Sequence, residues 1–185
     1  MKHNHIFAAL AGSIAVCTAL TGCASAAPDV NAEQTAAAAA TITLNGGSAS
    51  VQGKGAAVQG TVITISDAGT YRITGTLDDG QIVIDAGKDD AVTLVLDNAN
   101  ISCSNSAGIY AKQAGTTTLL LQDGTQNSVS DAAQYAYPDG GDEPDAAIFA
   151  KDDLTIAGSG TLTVTGSFNN AIGSKDNLLI ESGTL

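Results

Sequence analysis

A length of 185 residues is enough for one sizeable domain with its own core. Nineteen carboxylates face seven Lys and Arg, a formal charge of −12. That balance excludes nucleic acid, which needs a basic footprint, and suits divalent cations or plain solubility better. Apolar content is an ordinary 44%, yet it is Ala, Val, Ile and Leu with four Tyr, three Phe and no Trp. Twenty-one Gly and only three Pro fit a fold of many tight turns whose strands are not broken by proline.

In chain order, Met1–His5 carries Lys2, and Ile6–Leu20 is a short apolar run. Such a run is too short for a membrane span and right for the core of a secretory signal. Leu20-Thr21-Gly22-Cys23 follows and resembles the lipobox of bacterial lipoproteins. The resemblance implies cleavage before Cys23, lipidation of its thiol, and export to the extracellular face of the cell membrane. The competing reading is an ordinary signal peptide cut after Ala24-Ser25-Ala26. On the lipobox reading the domains are 1–22 signal peptide, 23–40 flexible tether and 41–185 the folded domain. The tether, ASAAPDVNAEQTAAAAA over 24–40, has no apolar periodicity, and five alanines alone are marginal as a helix in water. Both histidines, His3 and His5, leave with the signal, which removes Ser–His, Cys–His and histidine–metal chemistry from the mature chain. Cys103 then has only Cys23 for company and reads as a small core or turn residue.

From Thr41 onward short apolar alternations run between turn signals. Thr41–Leu44 ends at Asn45-Gly46-Gly47, and Val58–Ile65 ends at Asp67-Ala68-Gly69. Gln81–Ile84 and Val92–Leu96 are nearly continuous apolar strands. No segment of ten residues reads as helix. Near the end one unit is written twice: Ala147-Ile148-x-x-Lys151-Asp152-x-Leu154 returns 24 residues later as Ala171-Ile172-x-x-Lys175-Asp176-x-Leu178. A looser copy is Gly108-Ile109-Tyr110-Ala111-Lys112. A fixed period of this size marks stacked units that cannot bury an apolar face alone. At roughly 3.3 Å per residue it makes three short strands and their turns. The expectation is an all-β fold, a right-handed single-stranded parallel β-helix, with Ile109, Ile148 and Ile172 in one interior column. The last unit stops at Ser182-Gly183-Thr184-Leu185, mid-coil, so a C-terminal truncation is expected as well.

One segment breaks the period. Ile109 to Ile148 is 39 residues, 15 more than the later repeat, and the excess sits in Ala132–Asp145, AAQYAYPDGGDEPD. Insertions in repeat proteins map to loops on one face and often bind. This one carries Asp139, Asp142, Glu143 and Asp145 beside Tyr135 and Tyr137. Lys112, Lys151 and Lys175 hold one place in successive units. A ladder of ammonium groups there would follow the carboxylates of a uronate chain, or each lysine would simply pair with a neighbouring acid. The two tyrosines would stack on sugar faces, or pin the loop.

The stretch from Asp142 to Ile156, with Gly69–Leu77 and Asp79–Asp85, resembles the bacterial cell-surface carbohydrate-binding β-helix family that binds cellulose and pectin-like polygalacturonate. The likeness spans roughly Ala57 to Leu185. It implies a parallel β-helix with bound calcium, a polysaccharide partner and no catalytic residues. With that resemblance added, Asp139, Asp142, Glu143, Asp145, Asp152, Asp153 and Asp176 are the candidate calcium ligands, and Lys112, Lys151, Lys175, Tyr135 and Tyr137 the candidate glycan contacts. Calcium takes six to eight oxygens, which an acid ladder supplies. Asn169-Asn170-Ala171-Ile172 departs from the family's Asn-Asp-Gly-Ile by one carboxylate. The expected function is a lipid-anchored, calcium-stabilised, non-catalytic binder of acidic or cellulosic polysaccharide. The alternatives are a calcium-dependent uronate lyase and a structural or adhesion solenoid.

Overall fold

The computed structural model describes residues 38–137 and 140–185. The signal peptide, most of the tether, Cys23 and Asp139 lie outside the described residues. Fifteen strands and no helix are found among the described residues. The first sheet contains β1 (Ala40–Gly46), β2 (Ala49–Gly53), β5 (Gly69–Leu77), β7 (Ala91–Ser102), β9 (Thr116–Leu121), β12 (Asp153–Gly158) and β15 (Leu178–Ile180). Beside the second half of β7 it also takes in β10 (Gln126–Ser130) and β13 (Thr161–Thr165). The second sheet is β3 (Ala56–Gln59), β4 (Val62–Ile65), β6 (Gln81–Asp85), β8 (Ile109–Gln113), β11 (Ala146–Ala150) and β14 (Asn170–Ser174).

This arrangement corrects the expectation of a single-stranded, all-parallel β-helix. Both sheets are mixed, and neither closes on itself. β1 pairs antiparallel with β2, and β3 pairs antiparallel with β4. The cause is local. Asn45-Gly46-Gly47-Ser48 turns the chain back on itself, with Gly46 at φ 69° and the Asn45 N–H donating to the Ser48 carbonyl. Gly60, at φ 64°, does the same between β3 and β4. Connections this short can join only antiparallel neighbours, because a parallel pair needs a long crossover.

Beyond the hairpins, strands of successive repeats pair in parallel, and there the repeat register holds. Ile148 pairs with Ile172 on one side and with Ile109 on the other, extending the column Ile63–Ile82–Ile109–Ile148–Ile172 through the second sheet. In the first sheet the matching column is Ala40–Tyr71–Leu94–Leu119–Ile156–Ile180. The inward faces of the two sheets form one apolar core. Fully burying an Ile or Leu is worth about 1.5–3 kcal/mol; the inner members of each column reach that burial, while Ile172 and Ile180 at the ends do not. Cys103 is buried with a free thiol, and burial raises its pKa above the usual thiol value.

Candidate functional site

Alternation along the second sheet sends every other side chain outward. Val83, Tyr110 and Phe149 are paired neighbours in one such outward column, and the rings of Tyr110 and Phe149 lie 6.0 Å apart at 45°. Phe149 is buried even though it faces outward. Gly173 is its partner on β14, and a Cβ there would meet the Phe149 ring at 3.3 Å. Burial lifts the Tyr110 hydroxyl above the ordinary phenol range, with Lys151 and Lys112 pulling the other way.

The described residues of segment 132–145, namely 132–137 and 140–145, form an arm beside this face after β10. Two backbone bonds tie it to the β7–β8 turn: Ala132 N–H to the Ser106 carbonyl at 3.4 Å, and Ala136 N–H to the Asn105 carbonyl at 2.8 Å. The Tyr137 hydroxyl donates to the Pro144 carbonyl at 2.8 Å, closing the arm on itself. The Tyr135 hydroxyl donates to Asp131 Oδ2 at 2.7 Å, and its ring stacks on Phe168 at 4.6 Å. Burial raises the Tyr135 pKa, and the Asp131 hydrogen bond pushes it the same way. Tyr137 is raised by burial and then by Asp145 and Asp142. Asp131, itself buried, also accepts from the Ser167 N–H at 2.5 Å.

Between arm and sheet lies a cleft of about 700 Å³. Its floor is Val62, Gln81, Val83, Tyr110 and Lys112; the arm contributes Ala136, Tyr137, Gly141, Glu143 and Pro144, and the β7–β8 turn adds Asn105 and Ser106. An apolar floor with a few amide and hydroxyl groups is the composition of a small-ligand or sugar site. In the floor, Gln81 is held in place, donating to the Ala107 carbonyl at 2.8 Å and to Ser106 Oγ at 3.1 Å.

Of the sequence-predicted residues, the structure brings Lys112, Tyr137 and Glu143 to this cleft, with Lys151 and Lys175 directly behind Glu143. The three lysines hold one position: the Lys151 N–H donates to the Ala111 carbonyl and the Lys175 N–H to the Ala150 carbonyl. Each is ion-paired. Lys112 reaches Asp85 at 2.8 Å, Lys151 reaches Glu143 at 3.1 Å, and Lys175 pairs with the same Glu143. Tyr135 faces Phe168 and Asp131 instead.

The candidate calcium ligands disperse. Asp145 accepts from the Asn169 amide at 3.4 Å, and Asp152 accepts from the Ala114 N–H at 3.2 Å. Asp153 accepts from Asn177 through both its backbone and side-chain N–H groups. Asp142 and Asp176 are exposed. Among the described residues no three of His, Cys, Asp and Glu gather as a metal site. Glu143, its side chain 16% exposed, is neutralised by two ammonium groups. The described donor set does not fit a calcium ion.

Sequence reading missed Tyr110, Gln81, Asn105 and Ser106 as site residues. A signal for Tyr110 was present: it stands two residues before Lys112 on one strand, so both face the same side. Asn105 and Ser106 had no such signal, because only the folded arm turns them into a wall.

An all-β architecture with a cleft roofed by an inserted arm is the class that fold and site define. Residues 59–185 match the model of the carbohydrate-binding domain-containing protein family. The chain belongs to that family. A carbohydrate-binding domain-containing protein of Acetivibrio thermocellus is 38% identical over 179 residues, 95% of this chain and 63% of the relative. The chain therefore spans less than two thirds of that relative's length. Among solved structures it resembles one described as the polysaccharide lyase-like protein from C. thermocellum, a gadolinium derivative. The TM-score is 0.76 and the identity 38%, over 78% of this chain and 59% of the other.

Proposed function

We propose that the protein binds polysaccharide, cellulosic or acidic and pectin-like, in the cleft between the second sheet and the 132–145 arm, and does not cleave it. The observation that carries this reading is the pairing of two half-buried tyrosines, Tyr110 on the floor and Tyr137 on the arm, with the amides of Gln81 and Asn105 across one cleft. A sugar ring offers an apolar C–H face to an aromatic ring and hydroxyls to amides, and this cleft meets both demands. Turnover of a uronate would require a lysine base placed against the sugar's acidic carbon. The lysines here are engaged by Asp85 and Glu143, which favours a binding role. Export and anchoring through Cys23 complete the reading and place the binder at the cell's outer face.

Pull-down on insoluble cellulose and on cross-linked polygalacturonate tests it. Retention on at least one is expected for the wild type, with Tyr110→Ala weakening it about tenfold, the cost of losing one well-stacked aromatic. Ultraviolet absorbance from an unsaturated product is expected to stay flat in the same mixtures. Unchanged retention in Tyr110→Ala would remove the cleft as the site.

A further inference from the structure

Glu143 holds an unusual position for a surface acid. It lines the cleft, its side chain is only 16% exposed, and its two carboxylate oxygens each take a different lysine, Lys151 and Lys175. Those lysines come from successive repeats, their backbones about one strand spacing, roughly 4.8 Å, apart, and both ammonium groups meet on one carboxylate. Two like charges so close repel one another, and one bridging carboxylate relieves both. A uronate carboxylate entering the cleft would seek the same two ammonium groups. The arm already supplies one.

We infer that Glu143 is the residue that sets the charge preference of the cleft: it stands where a ligand carboxylate would stand and so favours an uncharged glycan over a polyuronate. This rests on the cleft being the glycan site. The remaining cation on the floor, Lys112, has Asp85 as its counter-ion. Around Glu143 the other charged groups among the arm's described residues are Asp142 and Asp145, which repel a polyanion, as does the chain's overall charge of −12. Among the described residues lining the cleft no cation is without a carboxylate partner to reward a carboxylate on the ligand, while Tyr110, Tyr137, Gln81 and Asn105 reward hydroxyls and C–H faces.

Binding of the full chain to two soluble oligosaccharides of equal length, one from cellulose and one an oligogalacturonide, tests this by calorimetry at low and moderate salt. The wild type is expected to prefer the uncharged oligomer. In Glu143→Gln, which keeps the side chain's shape, the ratio of affinities is expected to move about tenfold toward the oligogalacturonide, the worth of two part-exposed ion pairs. The gain should shrink as salt rises. Glu143→Gln with Lys151→Gln and Lys175→Gln should return the ratio to its wild-type value.

A ratio unmoved by Glu143→Gln, or a shift that persists in the triple variant, overturns the inference while leaving the cleft as the glycan site. Equal weakening of both ligands, with the arm newly cut by protease, overturns it too and makes Glu143 a structural latch. Failure of the wild type to bind either oligomer sinks the glycan reading of the cleft itself.

Discussion

Asp79 shows how one carboxylate closes a turn in this chain. It accepts the Ser104 N–H at 2.9 Å and the Ser104 hydroxyl at 2.8 Å, tying the β5–β6 turn to the β7–β8 turn. Both bonds favour the charged form, so they hold the Asp79 carboxyl below its usual pKa against a small opposing burial effect. The sign follows from linkage. A carboxyl lowered in the folded state adds stability above its unfolded pKa, and that contribution is lost as pH falls through the lowered folded value. Ser104→Ala removes the hydroxyl donor and keeps the backbone one. Asp79 should then titrate at higher pH, between its wild-type position and the ordinary carboxylate range, as followed by carboxyl-carbon NMR. An unmoved titration would deny the hydroxyl its part. Individual residues of this kind were poorly legible in sequence: Asp79 and Ser104 are 25 positions apart, and nothing in the local pattern joins them. The same holds for Glu143, which sequence marks as an acid among acids. Only the fold reveals its two lysine partners, Lys151 and Lys175.

At the level of strands, the recurring Ala-Ile-x-x-Lys-Asp unit was a reliable guide, because an interior column and an exterior one are both fixed once register is fixed. Ile109, Ile148 and Ile172 pair as the repeat demands, and the three lysines share one exterior position. What the repeat could not convey lies before it, where Asn45-Gly46-Gly47 and Gly60 fold the chain into hairpins and make both sheets mixed. The Asn45-Gly46-Gly47 signal was visible but was overridden by extending the later period backward, whereas Gly60 sat inside Val58–Ile65, a run that reads as one strand. Position within a column also grades the cost of mutation. Ile148 is 1% exposed and flanked on both sides, whereas Ile172, on β14 at the end of its sheet, packs only partly against the core. Ile148→Ala should cost about 2–5 kcal/mol, since its neighbours cannot close the cavity. Ile172→Ala should cost less than half of that. Urea denaturation of both variants checks the ranking, and equal losses would show that the sheet's last strand is as tightly held as its centre.

For the molecule as a whole, the proposed membrane attachment has to be reconciled with so acidic a charge. With a net charge of −12 it gains nothing from an anionic lipid surface and is repelled by it. No helix among the described residues is long and apolar enough to cross a bilayer. Attachment on this reading falls to Cys23, which lies outside the described residues and is known from the Leu20-Thr21-Gly22-Cys23 pattern alone. A diacylglycerol thioether buries two acyl chains at about 0.8 kcal/mol per CH₂, enough for stable anchoring where a single chain is only marginal. Cys23→Ser abolishes the thioether without touching the folded strands. The expected outcome is release from the membrane fraction into the soluble one, loss of labelling by a clickable fatty acid, and unchanged retention on the glycan that the wild type binds. Membrane association and lipid labelling that survive Cys23→Ser would assign the anchor to another part of the chain and leave the cleft's chemistry untouched.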